Sequence, residues 1–291
     1  MDLFETLLIP LSNRDILKPD NTLANSLRLS SFFSSKLYFI IPAAESPEIE
    51  TKLAQTKWAH YSTFIHKSSG NFSQDILNII EKVNHPLVFL GTNEVSFLQE
   101  NNHLTWEEEI IQNIQLPIII CPVTLNLSKK PFESLLVPMS GETRMNTALQ
   151  LAIRIADQMK MPIDLMHVTT RSGVCTDSSL VGHLSDHFYH EYPRLIDQLI
   201  SKGSPFSSLR ERRLIREFWH SCGDKAGEIL KHTLIKKTAL LVLEWKGIFL
   251  RGHAFVVKSI LATCNHPILL VRESCQEDAS LLKVSKNFSA S

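Results

Sequence analysis

The residues of this chain whose types and spacing could do chemistry are concentrated in its second half. In "GHLSDHFYHEY", His183, His187 and His190 fall at i, i+4 and i+7 with Glu191 beside them, so a helix would stack three imidazoles along one face. Imidazole nitrogens with a neighbouring carboxylate are zinc ligands by type. The same segment carries Leu184, Phe188 and Tyr192 as an adjacent apolar stripe, and the plainer expectation is that the histidines border that stripe.

A second cluster is basic. In "EWKGIFLRGHAF", Lys246, Arg251 and His253 crowd a loop that also holds Gly247 and Gly252, a combination able to hold an anion, although a solvated loop of ordinary surface charge is the plainer reading. "LRERRLIRE" is a short basic run, read first as a solvated face and second as a docking patch for an acidic partner. "TWEEEII" places acidic residues where a helix should begin, and they complement its dipole there. It is a helix start, not a catalytic carboxylate pair.

Enzyme chemistry finds little support. "SGETR", with Ser140 and Gly141 in the turn after a buried strand, invites comparison with the "SGGxDS" loop of ATP pyrophosphatases, yet the second glycine and the Asp-Ser pair are absent. No Ser-His-Asp or Cys-His order suggests a hydrolase. The chain is expected not to be an enzyme.

The elements that must position these groups come as a repeat. "FETLLIPLS", beginning at Phe4, returns as "FESLLVPMS" at Phe132, with exchanges such as Ile9 for Val137 that keep apolar bulk. A chain of 291 residues exceeds what one core usually serves, so the repeat predicts two domains, at 1–124 and 131–273, with "TLNLSKKP" in the linker and a flexible tail at 274–291. "ETLLIPL", "KLYFIIPA", "HPLVFLG" and "LPIIICPV" read as buried parallel strands of the first unit, and "ESLLVPM", "PIDLMHV", "TALLVLE" and "HPILLVR" repeat the order in the second. Helical spacing lies between them in "NTLANSLRLSSFF", "FSQDILNIIEKV" and "RMNTALQLAIRIADQM", so the fold class is α/β with a parallel sheet in each unit. The second unit carries extra residues near 170–212.

Composition narrows the class further. Formal net charge is zero and 44% of residues are hydrophobic, which suits a globular chain and not an electrostatically driven nucleic-acid binder. Cys121, Cys175, Cys222, Cys264 and Cys275 form no CxxC pair and suit free thiols. Without an apolar run of about 18 residues no transmembrane segment is expected. The start of the chain lacks a basic-then-apolar signal pattern, so a cytoplasmic location is expected.

The second unit resembles the universal stress protein family over nearly its whole length, through "LLVPMSGETRMNTALQLAIRIADQMKMPIDLMHV", "GDKAGEILKHTLIKKTALLVL" and "AFVVKSILATCNHPILLV", and the first unit follows more faintly. The resemblance implies two tandem doubly wound, Rossmann-like domains packed as an internal pseudo-dimer, with "LPIIICPV" and "HPILLVR" joining across the two-fold. Nucleotide-binding members carry an Asp closing the first strand and a motif G-x-x-G, nine residues, then G-[S/T], around the phosphates. Here Ser12 and Ser140 stand at the Asp position, and neither offers a charged acceptor.

In the first unit "GTNEVSFLQENNHLT" keeps the spacing from Gly91 to Thr105 but places Glu94 and Leu104 at glycine positions, where a carboxylate repels phosphate and leucine obstructs it. In the second, Glu244 aligns with the first glycine, Gly247 with the second, and Ala254 and Phe255 with the final step. The expected function is a non-enzymatic stress or signalling module with degenerate nucleotide sites, acting on a protein partner, with further homodimerisation left open and no cofactor required. Two alternatives stand beside it: a sensor of ATP, AMP or another anion in the second crevice, and a zinc-binding stress protein.

Overall fold

The computed structural model describes residues 3–11, 21–43, 47, 50–51, 63–68, 70–92, 105–139, 147–169, 213–235, 239–247 and 254–273. In the first half β1 (Thr6–Pro10), α1 (Asn21–Phe33), β2 (Lys36–Pro42), β3 (Thr63–Ser68), α2 (Phe72–Ile80), β4 (Pro86–Thr92), α3 (Trp106–Asn113) and β5 (Ile118–Pro122) follow one another. The second half runs β6 (Ser134–Met139), α4 (Thr147–Met159), β7 (Ile163–Thr169), β8 (Ile215–Cys222), α5 (Lys225–Ile235), β9 (Ala239–Trp245), α6 (Phe255–Thr263) and β10 (Ile268–Arg272). None of the described helices is long and apolar enough to cross a membrane.

The ten described strands form one sheet in the order β3-β2-β1-β4-β5-β10-β9-β6-β7-β8. Within each half every pairing is parallel, and the halves meet where β5 and β10 pair antiparallel, Ile119 opposite Leu269. The final strands therefore join across a pseudo-two-fold, as expected for a tandem pair. Because the strands of the two halves run in opposite directions, their carboxyl ends lie on opposite edges of the sheet.

Successive strand side chains point to opposite faces, and in β1, β4 and β9 both faces are enclosed, which is why those strands read as unbroken apolar runs. Leu7, Ile9, Phe39, Phe89, Val137 and Val242 pack under α1 and α4, while Leu8, Ile40, Val88, Leu90, Leu136 and Leu241 pack under α2, α3, α5 and α6. Each apolar layer draws on both halves. A fully enclosed side chain of this size contributes about 2 kcal/mol.

The segment joining the halves is docked along α1. Asn21 Nδ2 donates to the Val123 carbonyl at 2.9 Å, and Asn25 Nδ2 to the Leu125 carbonyl at 2.7 Å. The Leu127 amide returns a bond to Asn25 Oδ1 at 2.9 Å, and Arg28 Nη1 donates to Asn126 Oδ1. Spacing of i, i+4 and i+7 puts these three polar residues on one helical stripe. Asn25 is fully buried, and its amide satisfies backbone groups that an irregular chain would otherwise leave unpaired.

Two strands give little sign of themselves in the sequence. β3 and β8 are the outer strands, and β8 carries Arg216, Glu217 and Trp219 on a partly open surface. Arg216, in the basic run, is an ion-pair partner of buried Asp164 on β7. The extra length of the second half lies between β7 and β8.

Candidate functional site

Each half has a topological switch point where strand order reverses, between β1 and β4 and between β6 and β9. In open α/β sheets ligands favour the carboxyl ends of the strands at such points. The helix that follows the first strand of each half is α1 or α4, and a helix start presents amide donors to a crevice of this kind.

In the second crevice those amides are already occupied. Glu244, near the end of β9, accepts a hydrogen bond at Oε1 from the Thr147 amide at 2.6 Å, and the Ala148 amide and Thr147 hydroxyl also bond to it. Burial pushes the Glu244 carboxyl up, the Thr147 amide pulls it back, and the like charge of Glu273 pushes it up further. Position 148 is alanine, almost fully buried, which leaves room for the carboxylate to reach the helix end.

In the first crevice the sizes are exchanged. Gly91 on β4 occupies the place of Glu244, and Thr22 on α1 the place of Ala148. A Cβ on Gly91 would lie 2.5 Å from Thr22 Oγ1 and 2.8 Å from Thr22 Cγ2. Thr22 is 2% exposed and its hydroxyl finds no partner among the described residues. The helix side chain fills one crevice and the strand side chain fills the other.

Beyond β9 the chain turns at Gly247, whose φ of +78° favours glycine, and a Cβ there would fall on the Arg272 guanidinium. Arg272 in turn donates from Nη1 to the Gln112 carbonyl at 3.0 Å, so it ties this turn to the end of α3 in the other half. Lys246 is exposed beside it. At the next step Ala254 takes a left-handed conformation, φ +56°, immediately before α6, and its side chain caps nothing.

Two imidazoles lie at the carboxyl ends of β7 and β8. The rings of His167 and His220 stack with centroids 5.9 Å apart, and His167 Nδ1 is 3.2 Å from the Met139 carbonyl. A carbonyl can only accept, so Nδ1 carries the proton. Burial lowers the affinity of both rings for a second proton, and Lys225 and His220 add repulsion at His167.

A duplicated lock holds the turns from β3 to α2 and from β8 to α5. Ser68 Oγ donates to Asp75 Oδ2, and Ser221 Oγ donates to Glu228 Oε2, seven residues on in both cases. His66 Nε2 also lies 3.7 Å from Asp75 Oδ1. Nothing in local periodicity distinguishes these pairs; the signal is the recurrence of a serine seven residues before an acid in both halves.

No model of a known protein family matches the chain. Its fold superposes on the crystal structure of a universal stress protein from Archaeoglobus fulgidus DSM 4304 with a TM-score of 0.61 and 11% identity, covering 94% of this chain and 99% of that one. A functionally unknown protein from Pseudomonas aeruginosa PAO1 gives a TM-score of 0.57 and 12% identity over 92% of each chain. At that identity the likeness concerns the fold alone. In sequence, the universal stress protein YxiE of Bacillus subtilis strain 168 is 29% identical over 150 residues, 48% of this chain and 99% of that protein. The chain is similar to universal stress proteins, in sequence over about half its length and in fold over nearly all of it. The YxiE alignment accounts for about half of it, and the structural match from Archaeoglobus spans both halves.

Within this universal-stress-protein-like fold the expected site residues fall in different places. Gly91 packs against Thr22, and Thr105 caps α3, accepting from the Glu108 amide at 3.2 Å while the Glu108 carboxylate accepts from the Thr105 amide at 2.8 Å. Lys246 and Gly247 lie together after β9. Ser12, Glu94, Leu104, Ser140, Gly141, Arg251, Gly252 and His253 lie outside the described residues, as do His183, His187, His190 and Glu191. Spacing did not single out Thr22, Arg272, His167 or His220. Of the thiols, Cys121 is buried and pushed up to about 12 by desolvation, and burial likewise raises Cys264, so both act as small apolar groups.

Proposed function

We propose that this chain is a non-enzymatic stress-response module that acts through contacts with a protein partner and has given up nucleotide binding at both crevices. The likeness to the universal stress protein YxiE supports the stress-response role. The observation that carries the rest is the bond from the Thr147 amide to Glu244 Oε1 at 2.6 Å, because a carboxylate of the chain itself takes the place where an incoming oxyanion would be held. Thr22 against Gly91 supports the same reading in the first half. The joined β5–β10 edge supports an internal pseudo-dimer whose remaining surfaces are available to a partner.

The test is a thermal-unfolding series of the purified chain against ATP, ADP and AMP, paired with analysis of small molecules released on denaturation. A ligand at 100 times its dissociation constant adds about 2.7 kcal/mol, a shift of a few degrees. The expected result is no shift and no released nucleotide. A nucleotide-dependent shift overturns the reading and favours the sensor alternative.

That alternative has its own support in Lys246 and Arg272 flanking Gly247, two cations beside the second crevice. Replacing Lys246 and Arg251 with glutamate should abolish any anion binding there, and unchanged affinity would exclude the basic loop as its carrier. The zinc alternative predicts one stoichiometric metal that disappears in His187→Ala. The location proposed for this module is cytoplasmic.

A further inference from the structure

The seat taken by Glu244 is more than a helix end. Three donors converge on its carboxylate, two successive amides and a hydroxyl from the first residues of α4, and an oxyanion already sits among them. The carboxylate is supplied from a strand 97 residues away in sequence, so tertiary structure and not local capping brings it there. The duplicated half provides a control built into the same chain: where the strand position is Gly91, the strand itself supplies no carboxylate, and Thr22 packs against it from the helix side.

We propose that Glu244 is a built-in competitor for anions at the start of α4, holding the donors that a sulfate- or phosphate-sized oxyanion would use and releasing them when it is protonated or removed. This rests on the reading that the second crevice holds no nucleotide in the unaltered chain. Among the described residues, the charged group that acts on Glu244 is Glu273, just past β10, a like charge that favours the protonated form; α4 contributes the uncharged donors of residues 147 and 148. Lys246 lies two residues along the chain and would add attraction for an anion once the carboxylate has left. Protonation removes the charge that repels such an anion, and the freed amides then offer it the hydrogen bonds that Glu244 held.

Sulfate is the appropriate probe, because its charge is constant across the pH range in which a carboxyl titrates. Calorimetric titration of the full chain with sulfate, against chloride at matched ionic strength, should show little binding at about pH 7.5 for the unaltered protein and at least about tenfold tighter binding for Glu244→Ala. As the pH falls through the range in which the carboxyl titrates, the difference between the two proteins should narrow, since protonation does to the first what substitution did to the second. Protonation of His167 and His220 over the same range affects both proteins alike and leaves that narrowing readable. Thr147→Pro in the Glu244→Ala background removes the amide while leaving a first-turn position that proline tolerates, and should abolish the gain.

A folded Glu244→Ala that gains no sulfate affinity overturns the proposal, and so does a gain that survives Thr147→Pro. Should Glu244→Ala fail to fold, Glu244→Gln keeps the acceptor shape without the charge; it should gain affinity to a smaller degree, and an unchanged titration would overturn the proposal equally. ATP binding by the unaltered protein would overturn the proposed loss of nucleotide binding, whereas the comparison of Glu244→Ala with the unaltered protein would still decide the role of Glu244.

Discussion

Asp164 on β7 and Arg216 on β8 meet through two hydrogen bonds, Nε to Oδ1 at 3.0 Å and Nη2 to Oδ2 at 2.6 Å. The carboxylate is fully enclosed and the guanidinium side chain is 41% exposed. Removing Arg216 strands a buried charge. Arg216→Ala should cost about 2–3 kcal/mol in urea denaturation, below the ~3–5 kcal/mol typical of a fully enclosed pair because water reaches one partner. Adding Asp164→Leu should recover more than half of that loss, since the buried charge is then gone, and simple additivity of the two losses would argue against the pair.

Asn25 binds the joining segment at both Leu125 and Leu127 and also donates to Cys121 Sγ at 3.6 Å. Asn25→Ala leaves the part-buried Leu125 carbonyl and the buried Leu127 amide without this partner, each worth about 1–2 kcal/mol. The expected outcome is a loss of about 2–3 kcal/mol together with faster limited proteolysis between Leu125 and Phe132. A stable variant with an uncleaved segment would show that the strap does not hold the halves.

Thr22 and Gly91 should behave as one packing unit. Gly91→Ala alone should destabilise by about 1–3 kcal/mol, because its new methyl meets both branches of Thr22. In the double variant with Thr22→Ala those branches are gone and only the Thr22 Cβ contact at 3.2 Å remains. The double variant should therefore be more stable than additivity predicts by about 1 kcal/mol, measured as a double-mutant cycle.

Ala254 holds a left-handed conformation just before α6. For a residue with a side chain that geometry costs about 1–2 kcal/mol, and glycine recovers part of it after its greater unfolded-state entropy is counted. Ala254→Gly should raise stability by about 0.5–1 kcal/mol and shift the melting temperature upward by one to a few degrees.

Acid should weaken the fold through its histidines. His167, His220 and His266 all bind a proton less readily in the folded chain, chiefly because burial disfavours the charged ring. A depressed folded pKa contributes stability that is present above the unfolded value near about 6.5 and is lost as pH falls through the folded value. Glu244 has the opposite sign: its raised pKa contributes stability below its ordinary value, lost as pH rises through the folded one. Urea midpoints followed downward from about pH 8 should fall below neutrality, and His167→Asn, which keeps a donor toward the Met139 carbonyl, should flatten part of that fall.

The inner strands could be read from the chain alone because their burial is a local property. "FETLLIPLS" and "FESLLVPMS" each hold an unbroken apolar run, Leu7 to Leu11 and Leu135 to Met139, since β1 and β6 lie inside the sheet with helices on both faces. The polar periodicity of Asn21, Asn25 and Arg28 was equally present in α1, but its partner is a segment about 100 residues on, and no spacing rule connects them. The outer strands escaped for the opposite reason: β8 mixes Arg216, Trp219 and His220, and its ladder exists only because β7 lies beside it.

The crevices divide in the same way. That glycine and glutamate stand at corresponding positions 91 and 244 follows from aligning the two halves, and from that alone one would expect a carboxylate aimed at solvent and hostile to phosphate. The folded chain turns Glu244 inward, onto the Thr147 and Ala148 amides, and sets Thr22 into the space above Gly91. Apolar runs and helical stripes are written in neighbouring residues, because burial acts on each element separately. Which polar group meets which depends on strand register and on a sheet that places distant residues within hydrogen-bonding reach.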